Sequence, residues 1–482
     1  MRTVIYFTIS LISLMPITVI NSRLEWHDSQ RILQILIITL STAGMSIISK
    51  RLSPNNYFHL AIYAILLIGI TSSICSDLPH WGLVEISLFA GTLAIAISFS
   101  KLPKHIIINF EPLLYAALLS CAVVIIRFLT FYSSALTQQE LDFLPHEMID
   151  GFSNRRFFGQ VATLLIPVLL SVHFFGSGSA PKRFEPVIWI LVCLVWLAVI
   201  ATGTRGTWLA LGVSGVLIFW VGGKVGRFLA LSLLGTAAVG VALTYVMFTV
   251  IPSHSGAEVI GHPVERLTTS LSGREILWEM SWEMIRENPW LGVGPMHFAA
   301  AHNPVAAHPH NALLQLAAEW GIPATTLISL IVVYGFWRLF RTIRAHAHEI
   351  NQVNSLRIAI FAALTGAAVQ SMVDGVIVMP TTMVWAAILI GWVWGLEPST
   401  DNNDYGIGNS SPHVHISPPY NLTSRFILIL PFAAASCILL YTAVRDVPKI
   451  IEIETSGVVN GAMAEPLLPR FWIRGFIGSG QD

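Results

Sequence analysis

The residues best suited to chemistry in this chain gather in one stretch. "AHNPVAAHPHNALLQLAAEWGIPA" (301–324) sets His302, His308 and His310 just ahead of an apolar run. Three readings are open for these imidazoles. The H-x5-H-x-H spacing is unlike the HExxH or Cys/His frames that hold zinc, and no carboxylate close in sequence is well placed, so neither a metal nor a cofactor is expected. His302 and His308 suit polar capping where a helix enters lipid. His310, at the first turn of the helix that follows, suits a general base: the positive end of a helix disfavours an imidazolium, and a neutral imidazole accepts a proton near pH 7.

A second set is arginine: Arg155, Arg156, Arg205, Arg266, Arg274 and Arg286. A guanidinium grips phosphate oxygens with two parallel bonds, whereas lysine offers a point charge. Arg266 and Arg286 have acidic residues at hand (Glu275, Glu279, Glu283 and Glu287), and simple ion pairing accounts for them. Arg205 differs. It lies in "ATGTRGTWLAL", a glycine-flanked break with no acidic neighbour, and charge at a membrane edge is expensive and tends to be functional. Arg205 and Arg274 are therefore expected to bind a phosphorylated ligand.

The elements that must hold these groups follow from composition. The chain has 482 residues, 54% hydrophobic and 11% charged, against about 25% charged in a soluble domain. Apolar windows of spanning length recur near 3–21, 31–49, 57–75, 81–100, 106–133, 157–175, 186–202, 206–222, 226–251, 312–337, 356–373, 379–396 and 425–444. The class is all-α: a polytopic integral membrane protein of about 12–13 transmembrane helices with one large loop on the outer face. The first window shows no small-residue cleavage site before "NSRLEWHDSQ", so it reads as a span and not a signal peptide. Cys75, Cys121, Cys193 and Cys437 all fall inside spans with no pair spacing, which indicates neither a disulfide framework nor a zinc site. Lys+Arg and Asp+Glu balance at 27 each. No basic excess points to nucleic acid; membrane lipid is the expected surrounding.

Orientation follows from the short loops. With the N-terminus inside, Lys50/Arg51, Lys101/Lys104, Lys182/Arg183, Lys224/Arg227 and Arg338/Arg341/Arg344 are all cytoplasmic, and Lys449 is the one lysine left outside. The expected organisation is 1–150, N-terminal transmembrane helices; 151–251, transmembrane helices with arginine-bearing outer turns; 252–311, a catalytic loop on the outer face; 312–396, further transmembrane helices; 397–424, a cytoplasmic linker; 425–444, the last transmembrane helix; and 445–482, a tail on the outer face. Within the loop, "GREILWEMSWEMIRENP" reads as an amphipathic helix on the membrane surface with a stripe of Ile276, Met280, Trp282 and Met284/Ile285, ended by Pro289. Only Arg127 reads as a charge deep inside a span, and the polar groups collect on one face. That argues against a transporter or flippase, which would carry charges at mid-bilayer in broken helices.

At this point the residues resemble a known family. "HPHNALLQLAAEWGIPA" matches the pattern His-Asn, nine residues, Gly of the O-antigen ligase superfamily, here His310, Asn311 and Gly321. "TGTRGTWLAL" resembles that family's arginine-bearing span, and "GREILWEMSWEMIRENPWLGVGPMHF" the start of its large periplasmic loop. The resemblance covers roughly residues 150–395. "GFSNRRFFGQVATLLIP", "MVDGVIVMP" and the tail "PLLPRFWIRGFI" are similar to the pilin-type O-oligosaccharyltransferase branch; Ala324 departs from the Gly, Thr or Tyr of many ligases.

The resemblance implies a metal-independent, inverting glycosyltransferase of the bacterial inner membrane with its active site facing the periplasm. Such an enzyme takes a glycan from undecaprenyl diphosphate and passes it to an acceptor hydroxyl, on a lipid A-core sugar in lipopolysaccharide biosynthesis or on a pilin serine or threonine in protein O-glycosylation. His310 is then the base, and Arg205 and Arg274 hold the diphosphate. Arg155, Arg156, Gln160 and Asn311 are candidate substrate-binding residues, with His302, His308 and Asp374 as further candidates. For Asp374, capping the Gly375 turn is an equal alternative. A related polysaccharide polymerase, with a lipid-linked glycan as acceptor, is the nearest competing expectation.

Overall fold

The computed structural model describes residues 2–48, 56–108, 110–138, 140–142, 149–177, 179–255, 258–260, 273–301, 303, 305–397, 422–456 and 471–472. Its helices run α1 (Arg2–Leu14), α2 (Trp26–Ile48), α3 (Asn56–Ile74), α4 (Pro79–Ser100), α5 (Lys104–Ile108), α6 (Glu111–Gln138), α7 (Arg155–Leu170), α8 (Ala180–Arg183) and α9 (Glu185–Ala201). They continue as α10 (Arg205–Val221), α11 (Gly223–Tyr245), α12 (Ile251–Ser255), α13 (Arg274–Glu287), α14 (Ala312–Ala345), α15 (Gln352–Gln370), α16 (Pro380–Leu396) and α17 (Leu422–Ser456). A helix lies at every apolar window read from the sequence. Among the described residues, seven helical segments are long and apolar enough to cross a membrane, and shorter apolar helices lie at Leu60–Ile74, Glu185–Ala201, Arg205–Val221 and Pro380–Leu396. The chain is an all-α, multi-pass membrane protein.

Boundaries shift where local chemistry overrides hydropathy. α1 stops at Leu14 because Pro16 disfavours helix at the residue before it. α11 does not end at the expected loop boundary: a π turn over Val246–Val250 leads into α12, and helix continues to Ser255. The Tyr132 hydroxyl, donating to the Met247 carbonyl, sits at that turn. The last helix extends past the expected end at 444, to Ser456. Arg445 and Asp446 are satisfied there: Arg445 Nε meets Asp446 Oδ1 at 2.5 Å and its guanidinium stacks on Trp81, while Asp446 Oδ2 accepts from Trp472 Nε1 at 3.0 Å. Strands β1 (Glu140–Asp142) and β2 (Glu258–Ile260) pair in parallel, Leu141 opposite Val259, and tie the loop after α6 to the loop after α12.

The core is centred on α7. From Phe157 to Leu170 every residue of that helix is buried, packed among α15, α9, α16, α10, α6 and α11. The peripheral helices show the opposite pattern. Leu209, Val216 and Trp220 on α10, Leu231 and Leu234 on α11, and Val333, Tyr334 and Trp337 on α14 are exposed large hydrophobics. Apolar patches of that extent mark a surface that water does not cover, which is the lipid-facing side of a bundle.

The N-terminal half holds a charge that hydropathy conceals. α2 begins at Trp26, five residues before its apolar window, because the polar run His27–Arg31 is buried in the bundle. Arg31 is fully buried: Nη2 donates to Val378 O at 2.7 Å, Nη1 to Gln34 Oε1 at 2.5 Å, and Nε to Phe471 O at 3.0 Å, with the guanidinium over the Phe471 ring. Arg31, and not Arg127 alone, is therefore a charge held within a helix of the bundle. Arg127 is partly exposed and pairs with Asp150 at 3.3 Å.

Candidate active site

Four helix starts carry side chains whose charges act on one another or on His310. α7 starts at Arg155, α10 at Arg205, α13 at Arg274 and α14 at Ala312, directly after His310 and Asn311. Asn154 caps α7, accepting the Arg156 N–H at 2.9 Å. Asn311 caps α14, accepting from Leu313 and Leu314 N–H at 3.1 Å each. Its amide also donates to Met372 O at 3.3 Å, and Ala312 N–H donates to Ser371 O at 2.8 Å. The start of α14 is thereby stitched to the 371–379 turn that carries Asp374. The Asn311 side chain, read from the sequence as substrate-binding, is engaged in this capping and stitching.

His310 stands between these elements in a left-handed backbone conformation, φ 53°, uncommon for a non-glycine residue. Its Nδ1 lies 3.7 Å from Asp374 Oδ1, just beyond hydrogen-bond reach. His308 packs edge-to-face on it, ring centroids 4.3 Å apart. His308 in turn is pressed against Gly375: a Cβ added there would fall 2.3 Å from His308 Nε2, so only glycine leaves room for the ring. Burial, then the positive charges of Arg156 and Arg274, push His310 down to about 3. Burial pushes Asp374 above the usual carboxylate range, against the opposing pull of the Gln160 amide, Arg156, the Gly375 N–H and Arg274. Arg274 is lowered by burial and by Arg156 and Arg205, with Asp374 acting the other way, and its buried Nε has no hydrogen-bond partner among the described residues.

The structure thus brings together Arg156, Arg205, Arg274, His310, His308, Asp374 and Gln160. Arg155 is half-buried at the first residue of α7; the charges acting on His310, Arg274 and Asp374 include Arg156 rather than Arg155. His302 and Arg266 lie outside the described residues. Arg286 sits at the far end of α13, over the Trp282 ring.

Below the charges is a polar floor that the sequence reading missed. Asp374 Oδ1 accepts from Gly375 N–H at 2.8 Å, and Oδ2 from Gln370 Nε2 at 3.4 Å. Gln370 Oε1 accepts from Thr163 Oγ1 at 2.6 Å, and its amide faces Thr207 Oγ1 at 3.3 Å. Gln160 Oε1 accepts from Thr382 Oγ1 at 3.0 Å. A glutamine in the otherwise apolar "FAALTGAAVQSM" was the available signal, since an amide inside a span must find partners.

Two local features differ from expectation. α13 forms as expected, but Leu277, Ser281 and Ile285 make its buried face, with Phe298 and Ala306 packed beside Leu277. Ile276 and Trp282 point outward. α14 is broken at Gly321, φ 78° and ψ 167°. The break lets residues 289–294 lie against it: Val293 N–H donates to Ala318 O at 2.9 Å, Gly294 N–H to Glu319 O at 3.1 Å, and Ile322 N–H to Pro289 O at 2.9 Å.

In chemical terms the cluster offers an imidazole held neutral, guanidinium groups and a buried carboxyl, beside four helix N-termini. Of those helices only α13 carries an acidic residue in its first turn, Glu275. Cations at helix N-termini are mutually unfavourable with the helix dipole, and an anion between them relieves both. A family model described as O-antigen ligase matches residues 189–329, a segment that includes Arg205, Arg274, His310 and Asn311. No curated protein matches the chain.

Proposed function

We propose that this chain, whose residues 189–329 match the O-antigen ligase family model, is a membrane glycosyltransferase of that type and transfers a glycan from undecaprenyl diphosphate to an acceptor hydroxyl. The acceptor is a lipid A-core sugar or a pilin serine or threonine. The reaction takes place on the periplasmic face of the inner membrane. The observation that carries this reading is the cluster of Arg156 and Arg274 acting on His310, with Arg205 acting on Arg274, at the starts of four helices.

The residues divide the work as follows. Arg205 and Arg274 hold the diphosphate oxygens, and Arg156 adds to the field. The acceptor oxygen attacks the anomeric carbon from the face opposite the diphosphate, so the configuration inverts. The bond between the anomeric carbon and the phosphate oxygen breaks, its electron pair leaves on undecaprenyl diphosphate, and His310 takes the hydroxyl proton. Guanidinium groups fixed beforehand around the developing charge need not reorganise during the reaction. A base held at about 3 is weak, and proton transfer is most efficient when the base pKa lies near the working pH. A bound diphosphate offsets Arg156 and Arg274, two of the causes that depress His310, and so strengthens the base when the donor is present. Asp374, 3.7 Å away, stabilises the imidazolium that forms.

The test is transfer by purified enzyme in liposomes, given a defined undecaprenyl diphosphate glycan and, separately, lipid A-core or pilin. Transfer to one acceptor with release of undecaprenyl diphosphate is expected, as is its loss in His310→Gln at equal protein level. A His310→Gln enzyme with wild-type rate removes the base from this scheme. An enzyme that elongates only lipid-linked glycan is a polymerase instead.

A further inference from the structure

The loop carrying His310 is held from two sides. Downstream, Asn311 and Ala312 are bonded to the carbonyls of Met372 and Ser371. Upstream, the Trp278 indole N–H donates to Pro309 O at 3.1 Å. Trp278 stands one turn beyond Arg274 on α13, the i,i+4 spacing that places two side chains on the same helical face. Its neighbour Leu277 is fully buried against Phe298 and Ala306, and Trp278 packs on the same cluster. One rigid helix therefore presents both the guanidinium beside the site and the clamp on the residue preceding His310.

We infer that Trp278 is a positioning residue: by holding the Pro309 carbonyl it keeps His310 in its left-handed conformation and fixes the separation between His310 and Arg274. The inference rests on the proposed role of His310 as base. A φ of 53° at a histidine persists only where surrounding contacts over-determine it, and Trp278 supplies one of them. Without the indole N–H the Pro309 carbonyl loses that bond, and the imidazole is released on its upstream side. Reacting groups displaced by about 1 Å lose on the order of a hundredfold in rate, so a partial release has a measurable cost.

Trp278→Phe keeps an aromatic ring in the cluster and deletes the donor. Two readouts are taken on full-length enzyme in detergent or liposomes: steady-state transfer, and amide hydrogen exchange of a peptide spanning 305–314. The expected result is kcat down by about three- to tenfold, the value of one hydrogen bond, with the donor KM within about twofold and faster exchange at His310 and Asn311. Exchange equal to wild type overturns the inference whatever the activity. So does faster exchange with unchanged kcat in an enzyme whose His310→Gln variant is inactive. A wild-type rate in His310→Gln overturns the base reading instead, and the exchange data then decide the clamp alone.

Discussion

Replacing Gly321 by alanine adds one methyl group where the backbone of another segment already stands. The new Cβ would fall 2.3 Å from Trp290 O and 2.8 Å from Leu291 N. Both neighbours are main-chain atoms and cannot rotate aside. At φ 78° and ψ 167° the residue occupies a region open essentially to glycine alone, at a cost of about 1–3 kcal/mol for other residues. To escape the clash, 289–294 must lift off α14, straining the bonds from Val293, Gly294 and Ile322; each is worth about 1 kcal/mol. The sum is about 4–6 kcal/mol. Gly335 on the same helix is the control, because nothing lies within 4 Å of its added Cβ; alanine there is neutral or stabilising by about 0.5–1 kcal/mol. Thermal unfolding of the two variants in one detergent, followed by size-exclusion recovery, should place Gly321→Ala about 5 °C or more below wild type and Gly335→Ala level with it or above. Equal midpoints for the two variants would refute the reasoning, and with it the claim that the glycine in the His-Asn-x9-Gly pattern serves the helix break.

Arg205→Lys keeps the charge and loses the two-pronged grip; transfer should slow by about ten- to a hundredfold, from a charged hydrogen bond worth roughly 1.5–3 kcal/mol, and a rate within about twofold of wild type would place the diphosphate elsewhere. Arg156→Gln removes a positive charge that depresses His310, so the imidazolium is favoured and its pKa rises. In kcat/KM against pH, the acid limb from His310 should lie below about pH 5 in wild type and move upward in the variant, burial remaining; an unmoved limb contradicts the assignment. In a background lacking the native cysteines, of which Cys75 and Cys437 are exposed, Ser255→Cys should react with an impermeant thiol reagent in cells with a permeabilised outer membrane. His346→Cys should not, and the reverse pattern inverts the topology.

Sequence reading reached the helices because long apolar windows leave few alternatives, and it reached Arg205, Arg274 and His310 because charge and imidazole at the ends of such windows stand out. It failed where a residue's setting depends on distant partners. The run His27–Arg31 looks like a loop, yet Gln30 bonds Gly151 O at 2.7 Å and Arg31 bonds Val378 O, so polar residues enter the bundle. Thr163, Thr207 and Gln370 are unremarkable singly; their significance is that three helices bring them to Asp374. On α13 two apolar faces compete. The choice of Leu277, Ser281 and Ile285 over Ile276 and Trp282 follows from Phe298 and Ala306 in the loop beyond, which no periodicity within the helix reveals.

Arg31 also imposes a schedule on the making of the protein. Among the side chain's bonds, the one to Gln34 is available as soon as α2 forms; Val378 follows 347 positions later, Met383 352 and Phe471 440. While the ribosome works through the intervening chain, a guanidinium taken out of water lacks most of its eventual company, a costly state for a charge. The N-terminal helices therefore gain their final stability only after the residues around Phe471 have been synthesised and have folded back onto α2. A chain interrupted before that point leaves Arg31 without its Phe471 contact, so a truncation at the far end of the sequence is felt near its beginning.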